Sequence, residues 1–102
     1  MRQFDVYRNP QPRTAEVAPY LMMLSSHLLP DVSVVVVAPL LRDRRRPIQD
    51  LEPTLTVEGE ALVLGITDLF AVEPRELKLA IASLATEEDA IRRALDRLFT
   101  GF

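Results

Sequence analysis

Residues Val32 to Ala38 read VSVVVVA, and five valines in seven residues leave the backbone little choice. β-branched side chains lose rotamer freedom in a helix and pack well on a pleated surface, so this segment is a strand. Its apolar run, from Val34 through Pro39 to Leu41, falls far short of the ~20 residues that a bilayer-spanning helix needs. A strand of this kind requires neighbours, and the rest of the chain has to supply them.

The candidates lie on both sides. Gln3 to Tyr7 alternates polar and apolar residues, the period of two that a half-buried strand shows. Asn9-Pro10-Gln11-Pro12 then breaks the pattern, because proline lacks the donor a central ladder needs, and residues 8 to 16 read as an exposed loop long enough to bind something. A second strand begins at about Pro19 or Tyr20 and is followed by a turn over Ser25 to Asp31. Leu40 to Pro53 is a loop bounded by prolines and carrying four arginines. Thr54 to Val57 and Ala61 to Thr67 read as two strands joined by a tight hairpin at Glu58-Gly59-Glu60, where the glycine is free to take a positive φ. Asp68 to Arg75 is a connection. Leu77 to Leu84 alternates well enough for a strand, with a helix as the alternative.

The C-terminal element is a helix over about 87 to 99. Thr86 is the expected cap, Glu87, Glu88 and Asp89 suit the dipole in the first turn, and Ile91, Ala94, Leu95 and Leu98 form one apolar stripe. Gly101 fits the stop position. The tail Phe99-Thr100-Gly101-Phe102 has three readings: its aromatics pack into the core, fray, or stand out as a contact point. A chain of 102 residues without repeats reads as one domain with one modest core, mainly β with a C-terminal α-helix.

Composition narrows the chemistry. The chain has no cysteine, which excludes disulfides, thiol catalysis and thiolate metal sites, and it has a single histidine. Charged Arg2, Asp5 and Arg8 fall where a signal peptide would need apolar residues, so a cytoplasmic protein is the default. A net charge of −3 argues against general affinity for nucleic acid. No cofactor, metal or catalytic group is called for. His27 reads as a turn histidine, Glu58 and Glu60 as solvated charge beside the hairpin glycine, and Asp68 as a turn cap. The run Arg42-Asp43-Arg44-Arg45-Arg46 is either a solvated loop or a local patch for an acidic partner.

Separated pieces then fall into one order. They are Gln3-Phe4-x-Val6-Tyr7, Ser26-x-Leu28-Leu29, Val37-x-Pro39-Leu40, Leu51-x-Pro53 with Val57-x-Gly59-Glu60, Thr67-Asp68-Leu69-x-Ala71-Val72, and Leu98-Phe99-x-Gly101-Phe102. Over nearly the whole chain they resemble the CcdB family, plasmid or chromosomal toxins of toxin–antitoxin pairs that poison DNA gyrase. The resemblance implies a small SH3-like β-barrel of antiparallel sheets with a C-terminal helix, the CcdB/MazF-like toxin fold, assembled as a homodimer. It implies action without catalysis: the dimer wedges into the gyrase A subunit and traps the cleaved-DNA state, inhibiting the topoisomerase. A CcdA-like antitoxin releases it, and neither direct sequence-specific nucleic-acid binding nor a membrane is involved.

Carried onto this chain, the gyrase surface comprises Leu28, Leu29, Asp96, Phe99, Thr100, Gly101 and Phe102. The antitoxin falls along residues 8 to 14 and 42 to 50, with Arg8, Arg13, Arg42, Arg44, Arg45 and Arg46 as its cationic contacts. Two departures stand out. Thr100 occupies the position of a family tryptophan, and the loop from Leu40 to Leu51 is shorter than the family's. A MazF-like endoribonuclease toxin and a non-toxic chromosomal relative that keeps antitoxin binding are the alternative functions.

Overall fold

The valine-rich segment is the strand on which the sheet is laid. In the computed structural model, which describes residues 1–28, 33–42 and 46–101, it forms a strand over Val35–Leu41. In chain order the strands are β1 (Asp5–Arg8), β2 (Tyr20–Met23), β3 (Val35–Leu41), β4 (Thr54–Val57), β5 (Glu60–Leu64), β6 (Phe70–Val72) and β7 (Ala82–Ser83), and the helix is α1 (Glu88–Thr100). Along one edge β3 pairs with β2, from Tyr20 opposite Leu40 to Met23 opposite Val37. Its other edge is shared, with β6 beside Val35–Val37 and β5 beside Leu40–Leu41. All pairings are antiparallel, and the order β4-β5-β3-β2-β1-β7 with β6 alongside β3 curls into a nearly closed barrel that α1 packs against. This is the mainly antiparallel small barrel with a C-terminal helix that the family resemblance implied.

Pro39 lies inside β3, where the expected strand stopped at Ala38. The carbonyl of Pro39 accepts the Gly65 N–H at 2.8 Å, so the missing N–H, which points the same way, faces the gap where β6 ends and β5 begins. No ladder bond is lost there. Gly65 has to be small at this approach, since a Cβ would lie 2.8 Å from Leu41 Cδ1 and 3.2 Å from Pro39 Cγ.

Both faces of the sheet are covered. Val6, Met22, Leu40, Leu62, Leu64 and Ile66 form the main core with Ile91 and Ala94 of α1. On the other face Tyr7, Leu21, Met23, Val35, Val37, Val72 and Leu77 form a second cluster. This explains why all four residues of β2 are buried: alternate side chains enter different clusters.

Several boundaries differ from expectation. Phe4 is buried but has φ 71°, so β1 starts at Asp5, two residues after the expected Gln3. The segment from Leu77 to Leu84 is neither a long strand nor a helix. Leu77 fills the second cluster, residues 78–80 are exposed, and only Ala82–Ser83 pairs with β1, opposite Val6 and Asp5. The connection after Asp68 contains β6, because residues 70–72 find the free upper half of the β3 edge. The hairpin falls where expected but is one residue tighter: Glu58 at φ 49° and Gly59 at φ 80° make a two-residue turn whose twist matches the flanking strands, Glu60 already belongs to β5, and β5 ends at Leu64 because residues 66–68 form a 3-10 turn. Thr86 does not cap α1. It lies in a 3-10 turn, Ala85–Glu87, whose first amide is taken by Ser83 Oγ at 3.2 Å, and the helix begins at Glu88 with acids in its first turn.

Candidate functional site: the end of the helix and the arginine loops

The stripe of α1 decides what its last turns present. Ile91 and Ala94 are fully buried and Leu95 and Leu98 pack against the same core, which turns Arg92, Arg93, Asp96, Arg97, Phe99 and Thr100 outward. Phe99 is therefore not a continuation of the packed stripe. It leaves 71 % of its surface exposed, above the turn that carries Leu95 and Asp96. Thr100 is the last helical residue, and its hydroxyl donates to the Asp96 carbonyl at 2.6 Å. Gly101 closes the helix at φ 81°, with its N–H donating to the Arg97 carbonyl at 3.0 Å, the left-handed stop the sequence predicts. Of the three readings of the tail, Phe99 follows the third and stands out from the last turn of α1. Phe102 lies outside the described residues.

The turn after β2 is built on local hydroxyl bonds. Ser25 Oγ accepts the Val36 N–H at 2.6 Å and Ser26 Oγ accepts the Leu28 N–H at 3.1 Å, which holds Leu28 outward with 79 % of its surface exposed. Leu29 lies outside the described residues. His27 is an exposed turn residue whose Nδ1 accepts the Gln3 N–H at 3.3 Å.

The arginines expected to share one patch have different local settings. Arg8 stands 3.7 Å from Glu58 with both side chains largely exposed. Arg42 binds Glu60 through two bonds, Nε to Oε2 at 2.6 Å and Nη2 to Oε1 at 3.2 Å. Its Nη1 also reaches the Glu16 carbonyl at 3.0 Å, and its backbone N–H reaches the Val17 carbonyl at 2.8 Å. Arg42 thus ties the 9–18 loop to β5. These hydrogen bonds hold the Glu60 carboxyl below the usual glutamate range, against a smaller opposing effect of desolvation. Arg46 is exposed at φ 47°, while Arg44 and Arg45 lie outside the described residues. Glu58 and Glu60 accordingly serve separate arginines. Asp68 ends a 3-10 turn, its N–H donating to the Gly65 carbonyl at 2.9 Å.

Next to the first loop is a cavity of about 480 Å³. Val17, Ala18, Leu21, Pro39, Leu41 and Phe70 make its apolar wall, with Arg13 and Asp68 also on the lining. The loop above it is cross-tied: Asn9 Nδ2 donates to Thr14 Oγ1 and to the Ala18 carbonyl, both at 2.9 Å, and the Ala18 N–H donates to the Thr14 carbonyl at 2.8 Å. Among the described residues no group of three or more His, Cys, Asp or Glu side chains is arranged to hold a metal ion, and no helix is long and apolar enough to cross a membrane.

A family model described as CcdB protein matches residues 3–101. The chain belongs to the CcdB family. No curated protein matches it in a sequence comparison. Family membership makes the chain a toxin of the toxin–antitoxin kind, with gyrase and antitoxin as the partners such toxins have in general.

In this CcdB-family chain, two features of the site escaped sequence reasoning. The bidentate Arg42–Glu60 pair joins residues 18 apart across β3 and β5, and only the register of that pairing brings them together. The cavity was foreshadowed only by a long proline-containing loop, since its walls come from β2, β3 and β6 as well.

Proposed function

We propose that this protein poisons DNA gyrase by binding, without catalysis: it engages the A subunit with a face comprising Leu28, Leu29, Asp96, Phe99, Thr100, Gly101 and Phe102, and it traps the cleaved-DNA complex. A CcdA-like antitoxin contacting Arg8, Arg13, Arg42, Arg44, Arg45 and Arg46 reverses it in the cytoplasm. The observation that carries the reading is Phe99, an aromatic ring held in the open on a helix that ends abruptly at a left-handed glycine, in a chain of this family. An exposed aromatic can serve as the anchor of a protein contact, and such anchors contribute on the order of 2 kcal/mol or more. The test is DNA cleavage by purified gyrase with added protein. Accumulated cleavage complex and binding to an A-subunit fragment are expected, and absence of both would sink the proposal.

Thr100 favours a second reading, a relative that keeps its antitoxin but has lost its grip on gyrase. Threonine offers no flat π face, and here its hydroxyl bonds back to its own helix. Growth on expression without the antitoxin gene separates the two. Arrest by the natural chain supports a working poison, and arrest only after Thr100→Trp supports the lapsed relative.

A further inference from the structure

We propose that His27 is a positioning residue for the turn that presents Leu28: while its ring is neutral, Nδ1 ties that turn to the N-terminal segment, and protonation of the ring lets it go. This deepens the gyrase half of the proposed function and rests on it for the identity of the partner.

The bond itself fixes the charge state. Its donor is the Gln3 backbone N–H, 3.3 Å from Nδ1. A backbone N–H can only donate, so Nδ1 has to hold a lone pair and the proton of the neutral ring sits on Nε2. An imidazolium carries N–H on both nitrogens and cannot make this bond. Histidine is the side chain that ordinarily changes charge between about pH 5 and 8, and His27 is the single one in the chain.

What the bond holds lies next to the proposed gyrase face. Gln3 grips the turn at two points, through His27 and through its own Nε2, which donates to the Leu24 carbonyl at 2.8 Å. On the far side Ser25 Oγ accepts the Val36 N–H, which fixes the start of the turn to β3. The Ser26 bond to the Leu28 N–H is internal to the turn. Among the described residues, the Gln3–His27 bond is therefore the one hydrogen bond that fastens residues 26–28 to the body of the barrel. Leu28, with 79 % of its surface in solvent, has little packing to replace it.

The surroundings favour release. His27 shares a cavity of about 310 Å³ with Arg2 of the N-terminal segment, Asp5 of β1, Ser83 of β7 and Glu88 of α1. Asp5 accepts the Arg2 N–H and Glu88 pairs with Arg92, but a carboxylate takes several donors. A charged ring is thus drawn toward the two acids and away from the Gln3 N–H, whose dipole repels it.

The experiment is a pH titration of the isotope-labelled full chain by amide and imidazole NMR, with binding to an A-subunit fragment of gyrase measured across the same range. The Gln3 and Leu28 amide signals should move in step with the His27 ring between about pH 7.5 and about pH 5.5, and binding should weaken about fivefold. His27→Asn puts an oxygen close to where Nδ1 stood without a titrating ring, so its amide signals and affinity should keep their neutral-pH values, which also controls for titration of the fragment. His27→Leu has no acceptor and should show the weakened affinity at every pH. Amide signals indifferent to the ring, a His27→Asn variant as pH-sensitive as the natural chain, or full affinity in His27→Leu at neutral pH would overturn the proposal. Coupled signals in a chain that binds no fragment at any pH would support the tie and remove the gyrase reading alone. Coupled signals with pH-independent binding would remove the positioning role and leave the gyrase reading standing.

Discussion

Phe99 and Glu60 show how single residues divide between function and stability. With most of its ring in solvent, Phe99 contributes little burial, so Phe99→Ala should change stability by no more than about 0.5 kcal/mol while abolishing trapping of the gyrase cleavage complex. A thermal melt beside a cleavage assay checks both halves, and a large loss of stability would mean that the ring is structural. Glu60 behaves oppositely. Its carboxyl titrates lower in the folded chain than in the unfolded one because Arg42 stabilises the ionised form. That contribution is fully present above the unfolded glutamate value of about 4.3 and is lost as pH falls through the lower folded value. The advantage of the natural chain over Glu60→Gln in melting temperature should therefore be seen at neutral pH and vanish on acidification. A difference independent of pH would refute the pairing as its source.

At the scale of elements, α1 ends where it does because Gly101 can adopt φ 81° without a Cβ clash. Gly101→Ala should cost about 1 kcal/mol by melting, and by shifting the last turn it should weaken gyrase binding beyond that stability loss. Binding unchanged after the substitution would mean that the position of the stop is irrelevant. This helix was legible in sequence because its stripe, first-turn acids and terminal glycine are all local signals. The Thr86 cap expected for it is not formed: the 3-10 turn Ala85–Glu87 precedes Glu88, and α1 starts without a side-chain cap. The same contrast runs through the strands. Valine content marked β3, and Glu58-Gly59 marked the hairpin. By contrast, β6 exists because half of a neighbouring edge was vacant, and β7 is short because Leu77 packs into the second cluster and residues 78–80 stay exposed before the chain reaches β1. Of the site, Phe99, Gly101 and Leu28 were legible as residue types at motif positions. Their exposure depended on burial of Ile91 and Ala94 and on the Ser26 bond, and the cavity beside the 9–18 loop depended on strands far apart in sequence.

At the scale of the whole molecule, several large apolar side chains stay in water. Val34 is 43 %, Phe70 44 %, Phe99 71 % and Leu28 79 % exposed, although Leu84, Ile66 and the interior strands are well covered. Isolated exposed apolar residues are ordinary, but the homodimer that the family resemblance implies would give some of these a place, as a second copy would bury part of them and set two gyrase faces on one particle. Because a dimer is favoured by mass action, its formation adds stability that depends on protein concentration. Light scattering should return twice the 11.5 kDa chain mass, and the melting midpoint should rise as the protein is concentrated. A constant monomer mass with a concentration-independent midpoint would refute the dimer. Gyrase would then be met by one helix end at a time, and a wedge between its two A subunits would need another explanation.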